Sequence, residues 1–345
     1  MSKGLFPLDE QLRIREQHWS EAVARQAVWL YGHVEDDLAE QILQKIGGLA
    51  ISDTSIWRRA QKWSEKIRVV ETARAKTAVG LPQRGQIIRG QVPHARPMGV
   101  AMDAGKMNIR GEGWRDFKVG TVFDITQRVE PDPLTQEMVS QPHAVQNSYV
   151  VTLGGPAPFG QLVWAEAVRR EFPEAGDSLV TADGAWWIWN LASEHFSASR
   201  QVVDWYHAKQ HLYTVANALW GEGSAEAQRW VKQKETPLYQ GHAQRLAHEF
   251  RELAKTHRPS AKVLRQEANY FENHQRRMQY LETREDGFPI GSGMVESGIK
   301  QFRSRLAGPG MHWKRESAER ILPLRAVILS NRFDQVWDSV YSPPT

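Results

Sequence analysis

The chain has no cysteine among its 345 residues. Disulfide bonds, cysteine-ligated zinc and cysteine nucleophiles within this chain are therefore excluded. It also has no apolar run near the roughly 20 residues that a membrane-spanning helix needs. Its first residues, MSKGLFPLDEQLRIREQ, lack the apolar stretch of a secretory signal peptide. We therefore expect a cytoplasmic protein.

What is present is typical of a globular protein, with 41% hydrophobic and 24% charged residues and a length that suits two or three domains. The net charge is only +4, but basic residues cluster in 58–76, 251–265 and 300–315. Such clusters can mark contacts with a phosphate backbone, and they can equally be solvated helix faces. The composition leaves both interpretations open.

Residues 1–70 have the apolar spacing of helices, and the pair Gly47-Gly48 ends one of them. A capped helix follows, with an apolar stripe of Ile56, Ala60, Trp63 and Ile67. Its other face carries the basic residues Arg58, Arg59, Lys62 and Lys66. This order predicts a helix-turn-helix-like DNA-binding domain, although a simple helical hairpin would give the same pattern. Residues 71–97, rich in glycine, proline and basic residues towards their end, are predicted to be a linker.

From residue 98 the apolar period changes from 3.6 to 2, which indicates strands. The predicted order over 98–207 is βββαβαβ, the first part of a mixed α/β core. Residues 208–288 are predicted to be an all-helical insertion. Residues 289–345 are predicted to supply the helices that complete the core, including one at about 293–306 and a last one at 315–338.

Three acidic residues stand where chemistry is plausible. Asp103 is expected to end the short strand MGVAMDAG, and Asp183 to end the strand DSLVTADGAWWIW. Glu296 lies near the start of a late helix. Open α/β sheets bind ligands at the carboxyl ends of their strands, and carboxylates that converge there need a cation such as Mg²⁺. The alternatives are ordinary turn aspartates and a glutamate that favours the helix dipole.

The helix of Glu296 has an apolar stripe of Val295, Ile299, Phe302 and Leu306. Glu296 lies beside this stripe, and Lys300 and Arg303 share its face, with Arg305 further along. These cations either neutralise Glu296 or follow a phosphate backbone that is cut at this acid.

The stretch DWYHAKQHL places Asp204, His207 and His211 on one helix face. This spacing can hold a metal, but a structural zinc lacks a good fourth ligand. We expect instead that Asp204 accepts a hydrogen bond from a neighbouring histidine and fixes a strand-to-helix junction. Trp313, in the loop GPGMHW, is either a core residue or a platform for a DNA base.

Taken together, six stretches in order resemble DDE transposases of bacterial insertion sequences, of the ISKra type. They are FPLDEQL, ADGAWWIW, VVDWYHAKQHL, GSGMVESGIKQFRSRL, GMHW and LRAVILSNRFDQVW. The resemblance covers residues 5 to 338, nearly the whole chain. It implies an RNase H-like catalytic core with a helical insertion before the last acid.

The resemblance implies that Asp103, Asp183 and Glu296 are a catalytic triad that holds two Mg²⁺ ions, with Mn²⁺ as a substitute. Asp204 and His207 would support the site from beside it. The partners would be the double-stranded DNA of the element ends and of the target, at the nucleoid, with at least a homodimer to bring two ends together. The alternatives are a related metal-dependent nuclease without strand transfer and a catalytically inactive sequence-specific DNA-binding protein.

Overall fold

Five β-strands form one mixed sheet in the computed structural model, which describes residues 11, 13–14, 19–78, 96–131 and 137–341. The strands are β1 (Met98–Ile109), β2 (Gly113–Pro131), β3 (Met138–Thr152), β4 (Ser178–Ala182) and β5 (Arg200–Val203). They lie in the order β3-β2-β1-β4-β5. β2 pairs antiparallel with β1 and β3, whereas β4 pairs parallel with β1 and β5. The mixed α/β core predicted from the sequence is therefore confirmed.

Helices cover both faces of this sheet. Helix α4 (Pro156–Arg169) packs on one face, because a side chain at Gly120 of β2 would meet Val163 and Phe159. Helix α11 (Gly293–Leu306) packs on the other face, where the rings of Phe117 and Phe302 lie 6.1 Å apart. The centre of β2 is therefore buried on both sides, so its strict alternation of exposed and buried residues is lost there.

The N-terminal helices are α1 (Glu21–His33), α2 (Asp36–Lys45) and α3 (Asp53–Ala78). The stripe predicted for α3 is fully buried. This helix packs against α1, α2 and α4, and against a C-terminal helix, α12 (Arg315–Leu329). The prediction that the linker begins at residue 71 is wrong, because residues 71–78 continue α3. They are alanine, glutamate, lysine, arginine and threonine, with no glycine or proline to end a helix. Residues 79–95 of the predicted linker lie outside the described residues, as does most of FPLDEQL.

The insertion is helical, as predicted. Its helices are α6 (Trp205–Trp220), α7 (Ala225–Tyr239), α8 (Ala243–Thr256), α9 (Ala261–His274) and α10 (Tyr280–Glu285). Apolar residues of these helices, among them Leu212, Phe250 and Phe271, are fully buried. These residues belong to one hydrophobic core cluster that also contains the buried residues of the sheet, and α9 brings Tyr270 against the turn after β4.

Two local predictions need correction, and a third is confirmed. Asp103 lies inside β1 and not at its end, because β1 continues beside β2 as far as Ile109. The strand predicted to end near Asp183 ends at Ala182, as expected, and residues 186–195 form helix α5 (Trp186–His195), the helix that the predicted order places before the last strand. The predicted last helix is two helices, α12 and α13 (Phe333–Tyr341), which are separated by Asn331 in a left-handed conformation with φ 54°. In the part of the chain that the structure describes, no helix is long and apolar enough to cross a membrane.

Candidate active site at the carboxyl edge of the sheet

An aspartate follows the last paired residue of three neighbouring parallel strands. Met102 of β1 is paired with Ala182 of β4, and Ala182 with Val203 of β5. The next residue along each strand is Asp103, Asp183 or Asp204. Parallel strands lie about 4.8 Å apart, so the register alone brings these aspartates to one edge of the sheet. Asp103 reaches this edge from within β1 because its pairing with β4 ends there.

Asp103 lies close to the other two acids of the predicted triad. Burial raises its pKa, and the nearby charges of Asp183 and Glu296 raise it further, whereas the Ala104 N–H and His207 act in the opposite direction; together they give a pKa of about 6. The Ala104 N–H donates to Asp103 Oδ1 at 2.6 Å. Burial and the repulsion of two neighbouring carboxylates disfavour the charged form of Asp103, and a bound cation would offset that repulsion.

Asp183 lies in the tight connection between β4 and α5. Its Oδ1 accepts a hydrogen bond of 2.8 Å from the Ala185 N–H, which fixes the turn that leads into the helix. Asp183 is therefore a turn residue, as one of the two interpretations of the sequence predicted. This role does not exclude chemistry, because the same turn directs the carboxylate towards Asp103 and His207, whose pKa values both respond to its charge.

Glu296 lies in the first turn of α11, whose bounds match the predicted helix. The predicted apolar stripe of this helix is buried, and Glu296 itself is half-buried beside it. The Ser292 hydroxyl donates to Glu296 Oε1 at 3.1 Å. Lys300 and Arg303 are exposed, and among the described residues no ion pair joins either of them to Glu296. The interpretation of Glu296 as a salt-bridge residue therefore finds no support.

Asp204 connects β5 to the start of α11. It is fully buried, and its Oδ1 accepts the His207 N–H at 2.7 Å and lies 3.0 Å from His207 Nδ1. Its Oδ2 accepts the Ser292 N–H at 2.5 Å. Burial alone would raise the pKa of Asp204, but these hydrogen bonds hold it below its ordinary value. Asp204 therefore positions both His207 and, through Ser292, the helix that carries Glu296.

Ligand atoms of Asp204, His207 and Glu296 all lie within 4.8 Å of one another, so this group could hold a metal. Both oxygens of Asp204, however, already accept hydrogen bonds from the protein. The hydrogen bond to Asp204 raises the pKa of His207, which favours a cationic imidazolium over a metal ligand. The oxygen donors of Asp103, Asp183 and Glu296 are the ligand type that a hard divalent cation prefers, although these three acids do not form a group whose ligand atoms all lie within 4.8 Å of one another in this structure.

His211 does not join this group. Its Nδ1 lies 2.6 Å from Glu267 Oε2, and its ring stacks on Tyr270 with the centroids 3.6 Å apart. Within the described ranges, the one cluster with metal-ligand geometry contains Asp204 and His207 but not His211. The zinc site considered for DWYHAKQHL therefore has no geometric support.

The residues predicted to contact DNA are placed in different surroundings. Arg58, Lys62, Lys66, Lys300 and Arg303 are exposed. Arg59 is half-buried, with its guanidinium 4.6 Å from the ring of Trp19. Arg305 is buried, and its Nε donates to the carbonyl of Tyr31 at 3.1 Å.

Trp313 is half-buried, and its Nε1 donates to the Leu306 carbonyl at 2.8 Å. Its backbone also bonds the end of β1, because its N–H donates to Asn108 and its carbonyl accepts from Arg110. The guanidinium of Arg305 packs 5.3 Å from its ring. Trp313 and Arg305 therefore anchor the loop after α11 to the sheet.

Sequence reasoning missed Tyr270 and His274, which α9 brings against the turn of Asp183. Both lie more than 80 residues from Asp183 in the chain, and no periodicity in the helical insertion marks them.

The comparisons with known proteins add no family: no family model matches the chain, and no curated protein matches it.

Proposed function

We propose that this protein is a DDE transposase that cuts DNA at the ends of an insertion sequence and joins those ends to a target. The observation that carries the proposal is the convergence of Asp103, Asp183 and Glu296 from β1, the end of β4 and α11. Three carboxylates from separate elements at one sheet edge are suited to divalent metal ions, and such ions serve phosphodiester cleavage.

The strand arrangement supports an RNase H-like assignment of the core. Three antiparallel strands are followed, across α4, by two strands parallel to β1. This is the connectivity expected from the resemblance, with an acid on the first strand, an acid after the fourth and a glutamate on a later helix. The helical insertion lies between β5 and the helix of Glu296, also as the resemblance implies.

Asp103, Asp183 and Glu296 would hold two Mg²⁺ ions, or Mn²⁺ in their place. Such ions activate a water or a 3′-hydroxyl and stabilise the leaving oxygen. Other residues of the protein orient the acids that would bind these ions. Asp204 holds His207 at the edge of the site and, through Ser292, fixes the first turn of α11, so Glu296 is oriented before DNA arrives.

Cations on α11 extend away from the acid. Lys300 and Arg303 follow Glu296 by four and seven residues, which is about 6 and 10.5 Å along a helix. Phosphate contacts of this kind fix the register of a duplex without reading its sequence. With Arg58, Lys62 and Lys66 on α3, they form the DNA-contacting set of the proposal. A homodimer or larger assembly would bring the two element ends together.

A strand-transfer assay tests this function. A labelled DNA end from the region that flanks the gene, already cut to a 3′-hydroxyl, is incubated with supercoiled plasmid and Mg²⁺ or Mn²⁺. We expect the wild-type protein to join the label to the plasmid. Asp183→Asn and Glu296→Gln should abolish joining, whereas Asp116→Asn, at an exposed position of β2, should retain it.

Two results would contradict the proposal. Normal joining by the Asp183→Asn and Glu296→Gln variants would remove these acids from the mechanism. Cleavage of uncut ends without any joining would instead indicate the related nuclease.

A further inference from the structure

The ring of Tyr270, on α9 of the helical insertion, rests on the turn that carries Asp183. A Cβ built on Gly184 would lie 2.2 Å from Tyr270 Cε2 and 2.8 Å from its hydroxyl oxygen, which is far closer than atoms can approach. Gly184 thus leaves the space that the tyrosine ring fills. The insertion touches the candidate site at the residue next to one of its acids.

The ring is held in place from its other side. It stacks on His211 with the centroids 3.6 Å apart and an interplanar angle of 20°. His211 is itself fixed by Glu267, and the ring of His274 lies 4.8 Å from that of Tyr270. Contacts with His211 of α6 and with His274 of its own helix therefore favour the position of the tyrosine ring against the Asp183 turn.

The Tyr270 hydroxyl is buried and has no hydrogen-bond partner among the described residues. Burial raises its pKa, and the charges of Asp183, Glu267 and Asp204 raise it further. The hydroxyl therefore keeps its proton, and the charged groups around it are all acceptors. A buried donor without an acceptor destabilises a fold, so this hydroxyl is expected to gain its partner when the site is loaded.

We propose that Tyr270 is a positioning residue for Asp183. Its ring holds the Asp183-Gly184 turn, and its hydroxyl donates to the Asp183 carboxylate when that group binds a divalent cation. Acids that bind metals are commonly oriented by such hydrogen bonds. The helical insertion is then a structural part of the carboxylate site. This inference rests on the proposed function for the presence of a metal site.

Binding of Mn²⁺ to the full-length protein, followed by electron paramagnetic resonance without DNA, tests the inference. We expect Tyr270→Phe to raise the thermal midpoint of the metal-free protein, because it removes an unsatisfied donor. The same change should weaken Mn²⁺ binding by about 10-fold. Opposite effects on stability and metal affinity distinguish positioning from simple packing.

A double-mutant cycle tests the contact of the ring with the turn. Gly184→Ala and Tyr270→Ala should each weaken Mn²⁺ binding by about 10-fold, and the double variant by about the same factor, because both disturb one contact. Gly99→Ala is the matched control. Its Cβ would lie 2.2 Å from the Phe123 ring, but it precedes Asp103 by four residues, roughly 13 Å along β1. It should destabilise the fold and leave Mn²⁺ affinity unchanged.

The outcomes distinguish a failure of the inference about Tyr270 from a failure of the proposed function. If the wild-type protein binds Mn²⁺, Asp183→Asn does not, and the Tyr270 and Gly184 variants bind as tightly as wild type, the inference is overturned while the proposed function stands. Independent, multiplicative effects of Gly184→Ala and Tyr270→Ala would also overturn it. If the wild-type protein binds no Mn²⁺ at all, the proposed function fails, and the inference fails with it.

Discussion

Glu166 is the buried centre of an ionic network that joins the N-terminal helices to the core. Its carboxylate is fully buried in α4 and accepts hydrogen bonds from Arg74 at 3.0 Å, Arg169 at 3.0 Å and Arg332 at 3.1 Å. Glu71 of α3 accepts a further bond from Arg332 at 3.1 Å. Three cations therefore share two carboxylates at the junction of α3, α4 and the turn before α13.

Glu166→Gln should destabilise the protein strongly. The substitution keeps the shape of the side chain but leaves three arginines with one carboxylate, and the new amide directs a donor at a guanidinium. Although burial alone would raise it, the arginines hold the pKa of Glu166 below its ordinary value, so the charged form is the native one. Breaking a buried ion pair on one side costs about 3–5 kcal/mol, and we expect a loss in that range.

Urea unfolding measures this loss by circular dichroism and by tryptophan fluorescence. The two signals should give one coincident transition, because the network ties the N-terminal helices to the core. Glu65→Gln is the control: it also pairs α3 with α12, through Arg320 at 3.2 Å, but it is partly exposed and should cost less than about 1 kcal/mol. A Glu166→Gln variant that loses no more than the control would refute the reasoning, as would separate unfolding of the N-terminal helices.

Two further predictions concern pH and salt. Burial, with Arg277 and His211 nearby, lowers the pKa of His274 to about 4, below its ordinary value near 6.5. The unfolded chain takes up a proton at this histidine near pH 6.5, whereas the folded protein does so only near pH 4. The free energy of unfolding should therefore be unaffected above pH 6.5 and should fall by about 3 kcal/mol as the pH is lowered to 4. A His274→Gln variant whose free energy of unfolding depends on pH as that of wild type does would contradict this. Arg58→Ala combined with Lys62→Ala should weaken binding to the terminal DNA and lower the slope of log K against log salt by about 2. An unchanged affinity of this variant for the terminal DNA would contradict the prediction of a helix-turn-helix-like DNA-binding domain.

Much of the candidate site follows from local sequence patterns. The alternation in β2, the stripe of α11 and the strand before Asp183 are short-range signals, and each matched an element of the structure. The position of Asp103 could be inferred only in part. Its strand continues beyond it because β2 extends the antiparallel pairing, and the sequence before Asp103 carries no sign of that.

The remaining parts depend on contacts across long stretches of chain. Asp204 bonds the backbone of Ser292, 88 residues later, so its link to Glu296 is invisible in either segment alone. Tyr270 meets Gly184 across most of the insertion. The prediction that a linker begins at residue 71 was wrong for another reason. Helix propensity continues to residue 78, and Glu71 and Arg74, which resemble linker charges, are two of the five members of a buried network.

The central claim, that the carboxylates at the sheet edge cut DNA with a divalent metal, is tested most directly by nicking of a supercoiled plasmid that carries the DNA flanking the gene. The assay compares the wild-type protein with Asp183→Asn and with Asp116→Asn, in Mg²⁺, in Mn²⁺ and in EDTA. We predict that wild type and Asp116→Asn nick the plasmid with either metal and not in EDTA, and that Asp183→Asn does not nick it under any condition. Metal-dependent nicking by Asp183→Asn at the wild-type rate would contradict the account.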